Sequence, residues 1–325
     1  MQITSPAFKQ NSADALADVQ LQKALGNVRS GFIDKRRKAV DALPEFDALR
    51  DSARAIKDHA LNHLDLYLEA YEARVKASGG HVHWAETAAD ARNIILDICR
   101  AAGARTVTKG KSMITEEIAL NDFLSENGIR PVETDLGEYI IQLRGEYPSH
   151  IIAPAVHLNK EQVEADFRRV HDHLPFARDL SEPEALLNEA RRVLRSAYFE
   201  ADVGITGANF LVAETGTSII VTNEGNGDLT QILPKVHVVL ASIEKIVPTL
   251  EDAAQILRVL ARSATGQEMS VYTTLSTGPR RPGDPDGPEE YHVVLLDNGR
   301  SAMLGTEFQE MLRCIRCGAC MNHCP

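Results

Sequence analysis

No stretch of this sequence approaches the roughly 18 consecutive apolar residues that a membrane-spanning helix needs. Its opening, MQITSPAFKQNSADALADVQ, lacks the charged start and apolar run of a secretory signal. Both absences lead to the expectation of a soluble, cytoplasmic protein. Basic residues are in deficit, 35 Lys and Arg against 46 Asp and Glu, for a formal charge of −11. Nucleic-acid binding needs a basic patch or stripe, so that class is disfavoured. Cysteine is scarce and uneven: five in the chain, of which Cys314, Cys317, Cys320 and Cys324 crowd the end. A disulfide scaffold would spread its cysteines through a short secreted chain. Neither G-x-x-x-x-G-K nor G-x-G-x-x-G occurs, so the P-loop and nicotinamide-dinucleotide fingerprints are missing.

What is present is ordinary globular composition, 44 % hydrophobic and 25 % charged over 325 residues. That length is enough for one large domain with a small appendage. Residues 10–77 read as two or three helices broken near Gly31 and Pro44, a helical arm for the main domain or a partner. Beyond residue 78 helices alternate with short β-rich runs. Thr87 and Asp90 cap a helix that ends at Gly103, and Thr249 and Asp252 cap another. A helix around Glu116–Glu126 and one opened by Ser181 and Glu184 lie between them. Strands are expected near Arg105–Thr108, Pro131–Thr134, His150–Ala153, Asn209–Ala213, Ser218–Thr222, Val236–Ala241, Ser270–Thr274 and His292–Leu296. The middle runs are nearly continuous hydrophobic, as in strands buried on both faces. The expected class is α/β, a mostly parallel sheet flanked by helices. Gly278–Pro288 is a turn-rich loop between two strands.

The most specific motif is Cys314-Ile-Arg-Cys317-Gly-Ala-Cys320-Met-Asn-His-Cys324-Pro325, a C-x2-C-x2-C-x3-C-P run. Soft thiolates at such spacing suit the corners of a four-iron cluster, and Gly318 eases the tight curl. Zinc sites usually pair two separated C-x-x-C elements, so iron–sulfur is preferred to zinc. In two-cluster ferredoxins the fourth cysteine of the run serves the other cluster. No second motif occurs, which leads to the expectation that the chain is cut short. Two 4Fe-4S clusters are then expected in the complete protein, and fewer or no stable ones in this chain. Arg316 beside the cluster would favour its reduced, more negative form. Cys99, on an apolar helix face, reads as a core residue.

Several polar segments fall at strand ends, where open α/β sheets bind ligands. Lys109, Lys111 and Ser112 lie where a strand end runs into a helix, with Ser112 or Thr115 as its cap; they are candidates for receiving an anion, or else form an ordinary strand–helix turn with solvated lysines. Asn209, Glu214, Thr215, Thr217, Asn223 and Glu224 are candidates for lining a pocket. Glu214 is a base, a nucleophile, or a carboxylate satisfied by backbone amides. His81 and His83 share a strand-like face without a ligand set of known spacing.

KSMITEEIALN (111–121), ETDLGEYIIQL (133–143), PSHIIAPAVH (148–157), GITGANFLVAETGT (204–217), TNEGNGDL (222–229) and IEKIVPTLED (243–252) together resemble the lactate utilisation protein B family. The ending RCIRCGACMNHCP is similar to the start of that family's ferredoxin segment. The resemblance implies a helical region over 1–77, a lactate-utilisation domain over 78–304 related to ribose-phosphate isomerases and CoA transferases, and an incomplete iron–sulfur segment over 305–325. It implies an electron-transfer subunit acting with two partners, one with cysteine-rich domains and one with a single lactate-utilisation domain, to oxidise lactate to pyruvate without NAD. Two other functions compete: a stand-alone transferase or isomerase using Glu214, and a docking subunit without chemistry.

Overall fold

The computed structural model describes residues 5–110, 112–175 and 177–323, with only the backbone of Arg29. Lys111 and Cys324 therefore lie outside the described residues. Among these residues the strands run, in chain order, β1 (His81–Ala85), β2 (Thr106–Lys109), β3 (Arg130–Glu133), β4 (Val203–Thr206) and β5 (Phe210–Val212). They continue with β6 (Thr217–Thr222), β7 (Val236–Ser242), β8 (Ile246–Val247), β9 (Tyr272–Ser276) and β10 (Glu290–Leu296). A six-stranded sheet has the order β1-β10-β7-β4-β2-β3, and every pairing in it is parallel.

Its central strands are apolar on both faces because helices cover both. Val236, Val238, Leu240, Val294 and Leu296 point one way, into a core shared with Ile95, Leu96 and Leu124. Val239, Ala241, Val293 and Leu295 point the other way, toward Leu64, Leu68, Tyr71 and Val75. The two-residue alternation of a strand makes both cores from the same runs. At Gly204 in β4 an added Cβ would sit 1.9 Å from the Thr230 carbonyl oxygen. Helix Asn226–Ile232 thus lies directly on this strand, and only glycine permits the approach.

β5 and β6 are not part of that sheet, contrary to the reading of one run of two-face-buried strands. They form an antiparallel hairpin in a second sheet ordered β8-β5-β6-β9. Helices Phe46–Asn62 and Leu250–Thr265 share its core through Phe46, Leu49, Ile256 and Leu260. The N-terminal region is consequently more than an arm. Phe8–Ala17 and Val19–Val28 bury no residue, whereas Phe46–Asn62 and Leu64–Ala77 close the two sheets. The chain breaks after Asp41, near Pro44, but near Gly31 it passes through a π-helical turn, Arg29–Ile33.

Both expected capping boxes form, Thr87 with Asp90 and Thr249 with Asp252. Other local expectations fail. His150–Ala153 is loop, and helix Pro183–Glu200 begins with proline in its first turn and no side-chain cap from Ser181. The helix expected over Glu116–Glu126 is two pieces, Met113–Glu117 and Leu120–Glu126, parted by Ala119 at φ 50°. No helix among the described residues is long and apolar enough to cross a membrane.

One core residue makes stability depend on pH. His237 in β7 is 1 % exposed and hydrogen-bonds through Nε2 to Thr206 Oγ1 at 2.8 Å. Burial holds its imidazole down to about 3. The unfolded chain takes up this proton near 6.5, so the contribution is complete above that pH and is lost as pH falls from 6.5 toward 3. Thermal melts at pH 7, 5.5 and 4.5 should show a falling Tm, and His237→Gln should flatten that slope.

Candidate functional site

A cavity of about 500 Å³ opens at the carboxyl ends of β2, β3, β4 and β7. Each strand delivers its lining as it leaves the sheet: Ser112 after β2, Asp135 after β3, Gly207 and Asn209 after β4, and Ser242 ending β7. Thr222, Asn223 and Glu224, at the end of β6 in the second sheet, complete one side. Apolar lining comes from Ile140 and the loop residues Ile151, Ile152, Pro154 and Val156. Ligand sites in open α/β sheets lie at this end of the strands.

Of the strand-end candidates, the cavity gathers Ser112, Asn209, Asn223 and Glu224. Asn209 is fixed by accepting from the Val221 amide at 2.9 Å. Ser112 stands at a helix start but makes no capping bond, and neither does Thr115, whose Oγ1 donates to the Ser112 carbonyl at 2.6 Å. Ser112 is 4 % exposed, and its Oγ has no hydrogen-bond partner. A buried hydroxyl costs free energy unless something bonds it.

Lys109, Glu214, Thr215 and Thr217 lie elsewhere, which corrects the reading that all share one pocket. Lys109 is fully buried and pairs with Glu133 at 2.7 Å and Glu116 at 2.8 Å. Burial alone would lower its ammonium, but the carboxylates of Glu133, Glu116 and Glu138 more than offset this and hold it above the ordinary lysine range. It cannot serve as an anion receiver. Glu214 is exposed, and its carboxylate accepts from the Leu250 amide at 3.2 Å, at the start of helix Leu250–Thr265. Thr217 Oγ1 meets Thr215 Oγ1 at 2.8 Å and Thr277 Oγ1 at 2.6 Å, which ties the hairpin turn to the segment after β9.

Lys245 and Arg316 also line the cavity, and reading strand ends alone missed both. Lys245 Nζ donates to the Cys314 carbonyl at 2.9 Å. Burial lowers its ammonium, and Glu244 opposes that shift. Arg316 adopts φ 59° and approaches Glu117 at 3.7 Å, although Glu117 is held more closely by Arg300 at 2.8 Å. The cysteine loop therefore borders the cavity. Its other supports are Arg313 paired with Asp58, and His150. His150 Nδ1 accepts from the Ile152 and Ala153 amides, leaving Nε2–H to donate to Asn322 Oδ1 at 2.9 Å. Those bonds specify the tautomer. Gly318, at φ 72°, lies so close that an added Cβ would sit 3.0 Å from Ile152 Cγ1.

The described thiols of the loop, Cys314, Cys317 and Cys320, are free; the first and last are exposed and Cys317 is half-buried. Burial pushes the Cys317 thiol up, against a backbone amide from Ala319. Among the described residues no three His, Cys, Asp or Glu are grouped to hold a single metal ion. A mononuclear zinc site needs its thiolates within about 2.3 Å of one ion. A four-iron cluster is larger and takes four cysteine thiolates. Three free thiols with no carboxylate or imidazole between them suit that cluster by donor chemistry. Cys99 is a core residue, buried beneath the sheet, with its thiol pushed up to about 12 by burial.

A family model, the LUD domain, matches residues 68–296. Lactate utilization protein B of Bacillus velezensis is 44 % identical over all of this chain and 68 % of its own length. The protein of the same name in Bacillus subtilis is 42 % identical, over 100 % of this chain and 67 % of its own. The chain belongs to the lactate utilization protein B family. Another relative, named an uncharacterized electron transport protein, YkgF of Escherichia coli, is 44 % identical over 98 % of this chain and 66 % of its own length. The chain spans about two thirds of the length of these relatives. A crystal structure of a duf162 family protein from Deinococcus radiodurans overlays with a TM-score of 0.41 at 14 % identity, covering 72 % of this chain and 98 % of that one.

Proposed function

We propose that this chain is the iron–sulfur, electron-transferring subunit of a system that oxidises lactate to pyruvate. The observation that carries the reading is the cysteine loop: three free, accessible or half-accessible thiols braced by Lys245, Arg313 and His150 beside the strand-end cavity. The relatives' names, lactate utilization and electron transport, agree with it. Cys314, Cys317 and Cys320 would hold three corners of a cluster, with Cys324 serving as in two-cluster ferredoxins. When bound, the cluster supplies one-electron transfer. The chain's own residues fix the loop and place positive charge at Arg316 and Lys245. The two partners are a cysteine-rich-domain subunit and a single lactate-utilisation-domain subunit.

Chemistry through Glu214 has less support, since its carboxylate is engaged at a helix start outside the cavity. The test is an anaerobic mixture of the three subunits followed by EPR. With this subunit extended past Pro325, adding lactate should produce a reduced-cluster signal, and Cys320→Ser should remove the signal assigned to it. No lactate-dependent signal from the assembled subunits would refute the role.

A further inference from the structure

The cavity is polarised. Lys245 and Arg316 stand together beside Cys314. Asp135 and Glu224 lie instead near Tyr198, whose hydroxyl is pushed to about 12 by burial, with both carboxylates adding to the shift. Asp135 is committed to its helix, accepting from the Gly137 amide at 3.0 Å. One side thus offers two cations: Lys245 spends one of its three donors on Cys314 and lies 3.6 Å from Glu244, and Arg316 reaches Glu117 only at 3.7 Å. The buried, unpartnered Ser112 Oγ offers a hydroxyl. Apolar side chains, Ile151 and Ile152 among them, also line the cavity of about 500 Å³.

That volume is too large for lactate alone. Six non-hydrogen atoms, at roughly the 30 Å³ a water takes in the liquid, fill well under half of it. A cavity of this size falls in the range that holds drug-sized ligands. We propose that the cavity binds a 2-hydroxy carboxylate with a side chain larger than methyl: its carboxylate against Arg316 and Lys245, its hydroxyl on Ser112, its hydrocarbon against Ile151 and Ile152. This rests on the hydroxy-acid reading above and extends it: this chain itself takes the acid, and its range reaches past lactate. Arg316, between Cys314 and Cys317, then touches both ligand and cluster loop.

Calorimetric titration of the purified protein tests this without turnover. 3-Phenyllactate should bind at least about 10-fold more tightly than lactate, as burial of a phenyl group requires. The uncharged 3-phenylpropane-1,2-diol should not bind. Ser112→Ala should weaken phenyllactate by about 5- to 10-fold, the loss of one buried hydrogen bond. Val156→Trp, which fills the cavity from a partly exposed loop position, should abolish binding while circular dichroism and melting stay near wild type. Equal affinity for lactate and phenyllactate, or unchanged binding in both variants, would overturn the proposal. Absent binding alongside a lactate-dependent EPR signal would sink this inference and leave the electron-transfer role standing. Binding without that signal would do the reverse.

Discussion

Lys109→Met is expected to cost about 3–5 kcal/mol of stability, enough to unfold much of the protein at 37 °C. The ammonium is fully buried between Glu133, itself 2 % exposed, and Glu116. Methionine matches the length of the stem but leaves carboxylate charge in the interior with no counter-charge from this position. Breaking a buried pair costs far more than an exposed one, because the remaining ion is stranded away from water. Urea unfolding at pH 7 measures the cost, and a variant within about 1 kcal/mol of wild type would contradict the structural role given to Lys109.

The second large effect concerns the loop. Replacing Cys317 with serine swaps a soft thiolate for a hard, normally protonated hydroxyl, which iron in a cluster accepts poorly. The fold should hardly notice, because Cys317 only fringes the core formed around Phe46, Phe210 and Ile256. Near-complete loss of bound iron with a Tm within a few degrees is therefore the expected pair of results. A collapse of Tm with loss of iron would instead make the cysteine structural.

Some of this was legible in the residues and some was not. Capping boxes are local, so Thr87–Asp90 and Thr249–Asp252 announced themselves. The buried strands β7 and β10 did too, since covered faces leave continuous apolar runs. β4 did not: Val203-Gly-Ile-Thr206 is short, glycine-bearing and looks like a turn, yet it is central. Its glycine is there for the helix backbone that lies on it, a long-range demand with no local signature. Hairpin β5–β6 looked like its parallel neighbours because helices cover its sheet as well. At the site, Ser112, Asn209, Asn223 and Glu224 could be read from strand ends. Lys109 looked like an anion receiver because a sequence does not show that Glu116 and Glu133 close on it. Lys245 and Arg316 were hidden for the opposite reason: one follows a strand, the other sits among cysteines about 70 residues later, and only the fold brings them together.

The electron-transfer role stands on the proposal that the cysteine loop holds a four-iron cluster. Anaerobic iron, acid-labile sulfide and zinc analysis with EPR tests it most directly, on this chain, on one extended past Pro325, and on the extended chain carrying Cys317→Ser. Iron and sulfide in near-equal amounts, with a reducible EPR signal, are expected in the extended chain, and their loss in the variant. Zinc in place of iron, or iron that survives Cys317→Ser undiminished, would contradict it.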